Sequence, residues 1–144
     1  MKYLLYTCLV SELVKREPNQ KVAAWIDERD EQGLFLSVLT MGELQKGISK
    51  LADGDRKVKL QSWLEYELVE RFEGRILGVD LDTALAWGRL QGEAEQKGVT
   101  LPVMDSLIAA TATAHGLSVV TRKVKDLERC SAKVFNPWGS EGKV

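Results

Sequence analysis

Short apolar runs alternate along the chain with longer segments in which apolar residues recur at helical spacing. The short runs, at residues 2–6, 34–37, 75–79, 118–121 and 133–135, have the length of strands. Their positions are largely apolar in succession rather than alternately, which is typical of strands covered on both faces. The pattern therefore predicts an α/β protein with a parallel sheet between layers of helices.

The helical segments have recognisable start and stop residues. The spacing predicts helices over residues 7–15, 19–32, 40–51, 55–72, 82–97 and 102–115. Asn19 is a good helix N-cap, Pro102 suits a first helical turn, and Gly33 and Gly116 are typical stops. Without a repeat or linker, we expect one domain over residues 1–138 and a loose tail over residues 139–144.

Composition narrows the class of protein. The chain has 144 residues, of which 44% are hydrophobic, and a formal net charge of −1. Any nucleic-acid contact must therefore come from a local basic patch. The apolar stretch at residues 3–10 lacks the length of a membrane span and the flanks of a signal peptide, so we expect a cytoplasmic protein.

The chain is poor in soft metal ligands. Cys8 and Cys130 lie far apart without a CxxC motif, which argues against a disulfide framework or a zinc site. His115 is the only histidine, which excludes any mechanism that needs two catalytic histidines.

Acidic residues follow or face the ends of predicted strands. Glu43 and Asp126 come soon after strands, and Asp105 opens a helix that can point to the same edge of the sheet. Carboxylates without His or Cys favour hard ions such as Mg²⁺ or Mn²⁺, which can activate water against a phosphodiester. Tyr6 occupies the corresponding position after the first strand, where an acid is missing.

Each acid taken alone also has a purely structural interpretation. Glu43 lies three residues after Thr40, as in a capping box, and for Glu43 in isolation that interpretation is favoured. Asp105 suits the positive end of a helix dipole, and Asp126 could cap a short turn. Only the joint placement of the three acids points to one site.

The segments KYLLYTCLVSELVK, FLSVLTMGELQKGI, LPVMDSLIAATATAHGLSVVTRKVKDLE and KVFNPW resemble PIN-domain ribonucleases of the VapC toxin group, from Met1 to Trp138. The resemblance implies a PIN-like α/β fold, a central parallel sheet of about four to five short strands flanked by helices. It implies an endoribonuclease dependent on Mg²⁺ or Mn²⁺, with Glu43, Asp105 and Asp126 as metal-binding and catalytic residues. It also implies a homodimer and a VapB-type antitoxin that buries the site and makes any contact with DNA.

Two positions depart from that family pattern. Tyr6 stands where the family has an Asp ligand, and Lys123 stands where Asn is common. A neutral phenol is a poor Mg²⁺ ligand, and an ammonium could take the space that a metal needs. We therefore predict that the ribonuclease activity is impaired, because Tyr6 occupies the position of an acidic metal ligand.

Two other functions stay open at this stage. One is a catalytically dead PIN-fold module that dimerises, binds antitoxin and contributes to operon repression. The other is a phosphoacceptor domain, which the sequence disfavours because Tyr6, Thr7 and Cys8 stand where that class needs paired acids.

Two surfaces are candidates for binding. Arg122 and Lys125 flank Asp126 and are the candidates for RNA phosphate contacts. The helices predicted at 7–15 and 19–32 carry more apolar residues than a small sheet needs, including Leu9, Val10, Leu13 and Val14, and we expect some of this surface to contact a second copy or an antitoxin helix.

Overall fold

The computed structural model describes residues 1–139, and its strands form one parallel sheet. The strands in chain order are β1 Tyr3–Leu5, β2 Leu34–Ser37, β3 Ile76–Leu77, β4 Ser118–Val120 and β5 Val134–Phe135. They lie in the order β3-β2-β1-β4-β5, and each adjacent pair is parallel. The α/β class and the parallel sheet predicted from the apolar runs are confirmed.

Helices connect the strands and cover the sheet. In chain order they are α1 Thr7–Leu13, α2 Gln20–Asp27, α3 Val38–Ser49, α4 Asp55–Ser62, α5 Val69–Arg71, α6 Leu81–Gln96, α7 Val103–His115 and α8 Val124–Arg129. A 3₁₀ turn, Glu31–Gly33, precedes β2, and a π-helical segment, Trp63–Leu68, joins α4 to α5. Buried Leu64, Leu68 and Phe72 are spaced by four residues. Residues four apart lie on one face of a helix, so these three side chains enter the core together.

Side-chain caps fix where several helices begin. Asn19 accepts hydrogen bonds from the backbone amides of Lys21 and Val22, as predicted. Ser37 accepts from the amide of Leu39, so α3 begins before the predicted residue 40. Helix α7 ends at His115, and the following Gly116 has a φ of 68°, in the left-handed region that glycine adopts without strain.

The core has two layers, one on each face of the sheet. One layer packs Leu5, Leu34, Leu36 and Val120 against the helices of the first half of the chain. The other packs Leu4, Tyr6 and Val119 against residues of α7 and α8. Successive residues of β1 thus enter opposite layers, because side chains alternate across a strand. Tyr6 belongs to the second layer, which also contains the first turn of α7.

The surface of α1 differs from the sequence-based expectation. Leu9 and Val10 are buried in the chain's own core, so the expectation that they face a partner is wrong. Leu13 is partly buried against the same core. Val14 lines a groove between α1, α3 and α4 and is still available to a partner.

No helix among residues 1–139 has both the length and the apolar content needed to cross a membrane. Of the predicted tail, residues 140–144 lie outside the described residues.

Candidate active site

Tyr6 and Asp105 meet in the protein interior at the carboxyl end of β1. Tyr6 is the first residue after β1, and Asp105 lies in the first turn of α7. Both are almost fully buried, at 3% exposure each. The Tyr6 hydroxyl donates a hydrogen bond to Asp105 Oδ1 at 2.6 Å. The residue that replaces the expected acid is therefore joined directly to one of the remaining acids.

Lys123 supplies the positive charge beside Asp105. Its Nζ atom donates to Asp105 Oδ1 at 3.0 Å and to Oδ2 at 3.2 Å. The ammonium also lies 5.7 Å from the centre of the Tyr6 ring. Its backbone amide donates to Thr121 Oγ1, which fixes the start of α8. Tyr6, Asp105 and Lys123 form a hydrogen-bonded unit, which we call the Tyr6–Asp105–Lys123 triad.

The electrostatics of the triad favour a neutral phenol and a charged ammonium. Burial raises the pKa of Tyr6 far above its ordinary value, and the hydrogen bond to Asp105 and the charges of Asp105 and Glu43 raise it further. Burial by itself would lower the pKa of Lys123. The hydrogen bond to Asp105 and the charges of Asp105, Asp126 and Glu43 outweigh burial, and the pKa of Lys123 is raised.

The first turn of α7 is held in place by a hydrogen-bond network that sequence reasoning missed. Ser106 Oγ accepts from Trp87 Nε1 at 3.0 Å and from Gln91 Nε2 at 2.9 Å. The same hydroxyl donates to the carbonyl of Val103. These bonds connect α6 to the residue after Asp105 and hold the first turn of α7, which carries Asp105, against α6. The available signal was a polar residue next to an acid in an otherwise apolar helix.

Glu43 lies on α3 and is bound to the β1–α1 turn. The Thr7 hydroxyl donates to Glu43 Oε1 and also approaches Thr40 Oγ1 at 3.4 Å. The capping-box interpretation of Glu43 is wrong, because Ser37 caps α3 and Thr40 is buried inside the helix. Thr7 was missed from sequence, although a hydroxyl directly after Tyr6 was its signal.

Asp126 is not in contact with the triad. It lies in the first turn of α8 and forms an ion pair with Arg129 at 3.7 Å, with 43% of its side chain exposed. The capping interpretation is wrong for Asp126 as well, since α8 has no side-chain cap. Its charge nevertheless acts on Lys123. The structure thus joins Tyr6 to Asp105, joins Glu43 to the adjacent Thr7, and leaves Asp126 at the rim.

This arrangement does not fit a divalent metal ion. Within residues 1–139, no three Asp, Glu, His or Cys side chains lie close enough together to hold one. Both oxygens of Asp105 accept hydrogen bonds from Lys123, and Oδ1 also accepts from Tyr6. A metal at Asp105 would have to displace an ammonium of like charge. The residues present favour the ammonium as the cation of the site.

The candidate RNA-binding residues occupy different surroundings. The guanidinium of Arg122 lies 4.3 Å from the centre of the Trp138 ring and 3.8 Å from Glu12 Oε1. Glu12 is itself buried, and its hydrogen bond from Lys15 lowers the pKa of its carboxyl group. Lys125 lines an open groove beside Asp126. Arg122 lines the same groove, and 58% of its side chain is exposed, so contact of Arg122 and Lys125 with RNA stays a prediction for both residues.

Comparison with known proteins gives consistent matches over the whole domain. A family model described as PIN domain matches residues 3–129. VapC ribonuclease Y4jK of Sinorhizobium fredii is 38% identical, with 94% of this chain and 96% of that protein covered. Toxin FitB of Neisseria gonorrhoeae is 36% identical, with 94% of this chain and 97% of that protein covered. A solved structure of FitAB bound to a DNA fragment has a TM-score of 0.88 at 32% identity, with 99% of each chain covered.

Proposed function

We propose that this chain, which belongs to the PIN-domain family, is a toxin whose endoribonuclease site is impaired. Its relatives include the VapC and FitB toxins. The observation that carries the proposal is the Tyr6–Asp105–Lys123 triad. The family site needs acids that share a hard metal ion, and here one acid position is a phenol and another acid is neutralised by an ammonium. Glu43 and Asp126 complete the proposed site.

The proposal attributes the impairment to specific substitutions. Tyr6→Asp restores a carboxylate at the carboxyl end of β1, and Lys123→Asn removes the competing ammonium. Because metal affinity follows the number and charge of the ligands, both changes should raise affinity for Mg²⁺ or Mn²⁺. In the variant, Asp105, Glu43, Asp126 and the restored acid are the residues that would hold the family's metal.

Metal binding tests this proposal without relying on activity. Isothermal titration with Mn²⁺ should give no measurable binding to the parent and to Tyr6→Phe. Tyr6→Asp should bind Mn²⁺, and Tyr6→Asp with Lys123→Asn should bind it more tightly. Equal binding by the parent and Tyr6→Asp would overturn the role assigned to Tyr6.

A second function, binding without cleavage, is favoured by the same ion pair. If Lys123 permanently occupies the site, the protein keeps its fold and its partner surface and has no nuclease activity. Such a protein would still bind antitoxin and support operon repression. Titration with Mn²⁺ separates the two functions, because the dead module cleaves no RNA at any Mn²⁺ concentration.

The partner we propose is a VapB-type antitoxin, through which the complex contacts DNA. Support comes from the likeness to FitAB, whose structure contains DNA. On this chain, a groove of about 960 Å³ runs between α1, α3 and α4 and opens at Glu43. Its apolar floor includes Leu44, Ile48 and Trp63, and its rim carries Lys15, Arg16, Arg56 and Lys59. A helix with an apolar face and acidic flanks fits this groove.

Self-association is the remaining part of the proposal. Large apolar side chains are exposed around α6, including Leu81 at 72% and Leu85 at 51% exposure. Exposed apolar residues on a helix often mark a protein interface. We propose that this face of α6 contributes to a homodimer. Light scattering of Leu85→Lys against the parent tests this, since a monomeric parent would contradict it.

A further inference from the structure

A groove separate from the antitoxin groove runs along the free edge of the sheet. It has a volume of about 1120 Å³ and lies between α2, α8 and the segment that follows β5. β5 is the outermost strand at this edge of the sheet. Lys123 and Asp126 also line the groove, so it is continuous with the candidate active site.

An aromatic ring, that of Phe135, lines this groove. Phe135 of β5 stacks on Trp25 of α2, with ring centres 5.3 Å apart and an interplanar angle of 26°. Trp25 is buried, but 41% of Phe135 remains exposed. An exposed aromatic ring held rigidly by a buried one is a suitable platform for a nucleic-acid base.

Two lysines line the groove together with this ring. Lys21 of α2 and Lys125 of α8 line the groove, and neither forms an ion pair with any residue between 1 and 139. Two of the three acidic residues that line the groove have their charge balanced by an arginine. Glu28 is paired with Arg29 and Asp126 with Arg129, while Glu128 has no such partner within the described part of the chain. Ammonium groups beside an aromatic platform form the usual surface for single-stranded RNA.

We propose that this groove binds a single-stranded segment of RNA, with one base stacked on Phe135 and flanking phosphates held by Lys21 and Lys125. This inference rests on the proposed function, since the strand would lead from the groove past Lys123 to the candidate active site. Charge complementarity and the shared residues favour RNA over a peptide strand added to the edge of β5. In this proposal the groove is a substrate-binding subsite that binds RNA whether or not the RNA is cleaved.

The experiment measures binding in EDTA, where metal-dependent cleavage cannot occur. The probe is a fluorescein-labelled single-stranded RNA of about ten nucleotides, followed by fluorescence anisotropy. Phe135→Leu keeps an apolar side chain against Trp25 and removes the stacking face, whereas Phe135→Trp keeps an aromatic face. Lys125→Gln removes one phosphate contact. The matched controls are Tyr66→Leu, another exposed aromatic, and Lys97→Gln, another lysine, because neither residue lines the groove.

The two kinds of substitution should have different signatures. Phe135→Leu should weaken binding about five- to a hundredfold, as expected for one lost base stack, and leave the salt dependence unchanged. Lys125→Gln should reduce the slope of log affinity against log salt by about 0.7, the value for one phosphate contact with a single strand. Phe135→Trp and both controls should bind like the parent.

Two results would overturn the proposal. One is equal RNA binding by Phe135→Leu and the parent, and the other is equal loss in Phe135→Leu and Tyr66→Leu. Failure of the proposed function has a different signature, because it leaves Tyr6→Asp unable to bind Mn²⁺ or cleave RNA whatever residue stands at 135. If Tyr6→Asp cleaves RNA but Phe135→Leu does not weaken RNA binding, the groove inference alone is wrong.

Discussion

The ion pair between Lys123 and Asp105 should stabilise the folded protein, and Lys123→Met tests this. The substitution preserves most of the side-chain length and removes the ammonium. Asp105 would remain buried with the Tyr6 hydroxyl as its side-chain donor. The effect on the free energy of unfolding should depend on the charge of Asp105, because that charge is what Lys123 binds.

The structure sets the size of this effect. A hydrogen bond to a charged group contributes about 1.5–3 kcal/mol. The Lys123 side chain is 47% exposed while that of Asp105 is 5% exposed, so water partly replaces the contact on the lysine side. We therefore expect Lys123→Met to lower the free energy of unfolding by about 1–2 kcal/mol. For a domain of this size, that loss lowers the melting temperature by about 2–8 °C.

A double-mutant cycle isolates the pair. Urea unfolding at neutral pH would compare Lys123→Met in the parent and in an Asp105→Asn background, with Lys125→Met as the control for loss of a nearby lysine. In the Asp105→Asn background the cost should fall to within about 0.5 kcal/mol of zero, since no carboxylate remains to be paired. The same cost in both backgrounds would show that Lys123 stabilises the fold without Asp105, which refutes the reasoning.

The pKa of Tyr6 is raised above its ordinary value of 10.0, so the unfolded chain loses this proton at a lower pH than the folded protein does. The free energy of unfolding of the parent should therefore fall as pH rises above about 10. Urea titrations at alkaline pH should show a shallower fall for Tyr6→Phe, which has no proton to lose. Gly47 lines the antitoxin groove and has open space around it, so Gly47→Gln should weaken antitoxin binding by calorimetry without lowering the melting temperature. The matched control, Gly92→Gln on α6, should bind like the parent, and equal loss in both would contradict the assigned groove. Arg75→Met should lower the free energy of unfolding by about 1–3 kcal/mol, because the buried guanidinium donates to the carbonyls of Leu34 and Arg71. A loss below about 0.5 kcal/mol in the same urea assay would show that water replaces these bonds.

The strands and their parallel arrangement were predictable because each strand is buried on both faces and reads as a continuous apolar run. The run at residues 34–37 matches β2, and the run at residues 118–121 exceeds β4 by one residue. The start of α3 was misplaced because the choice between Ser37 and Thr40 as the cap depends on which hydroxyl reaches a free amide. The burial of Leu9 and Val10 was missed because it depends on how α1 packs against the sheet and the neighbouring helices.

The sequence predicted that Tyr6 and Asp105 lie near each other but not which hydrogen bonds and ion pairs they form. Sites in parallel sheets form beyond the carboxyl ends of the strands, and this rule predicted that Tyr6 and Asp105 lie close together. The two residues are 99 positions apart in sequence and are joined by a hydrogen bond. The rule could not show that Asp126 points toward Arg129, since a first-turn residue can face the crevice or the solvent with little change in backbone. Nor could it show that Lys123 contacts both oxygens of Asp105, because that contact depends on one side-chain conformation.

RNA cleavage by the parent, Tyr6→Asp, and Tyr6→Asp with Asp105→Asn tests the central claim most directly. Each protein would be incubated with a structured RNA in Mn²⁺ and, separately, in EDTA. Tyr6→Asp should cleave the RNA more than about tenfold faster than the parent in Mn²⁺ and lose that activity in EDTA. The double variant should be as slow as the parent. Cleavage by the parent at the rate of Tyr6→Asp would contradict the impairment assigned to Tyr6, and an absence of cleavage by every variant in Mn²⁺ would contradict the ribonuclease site itself.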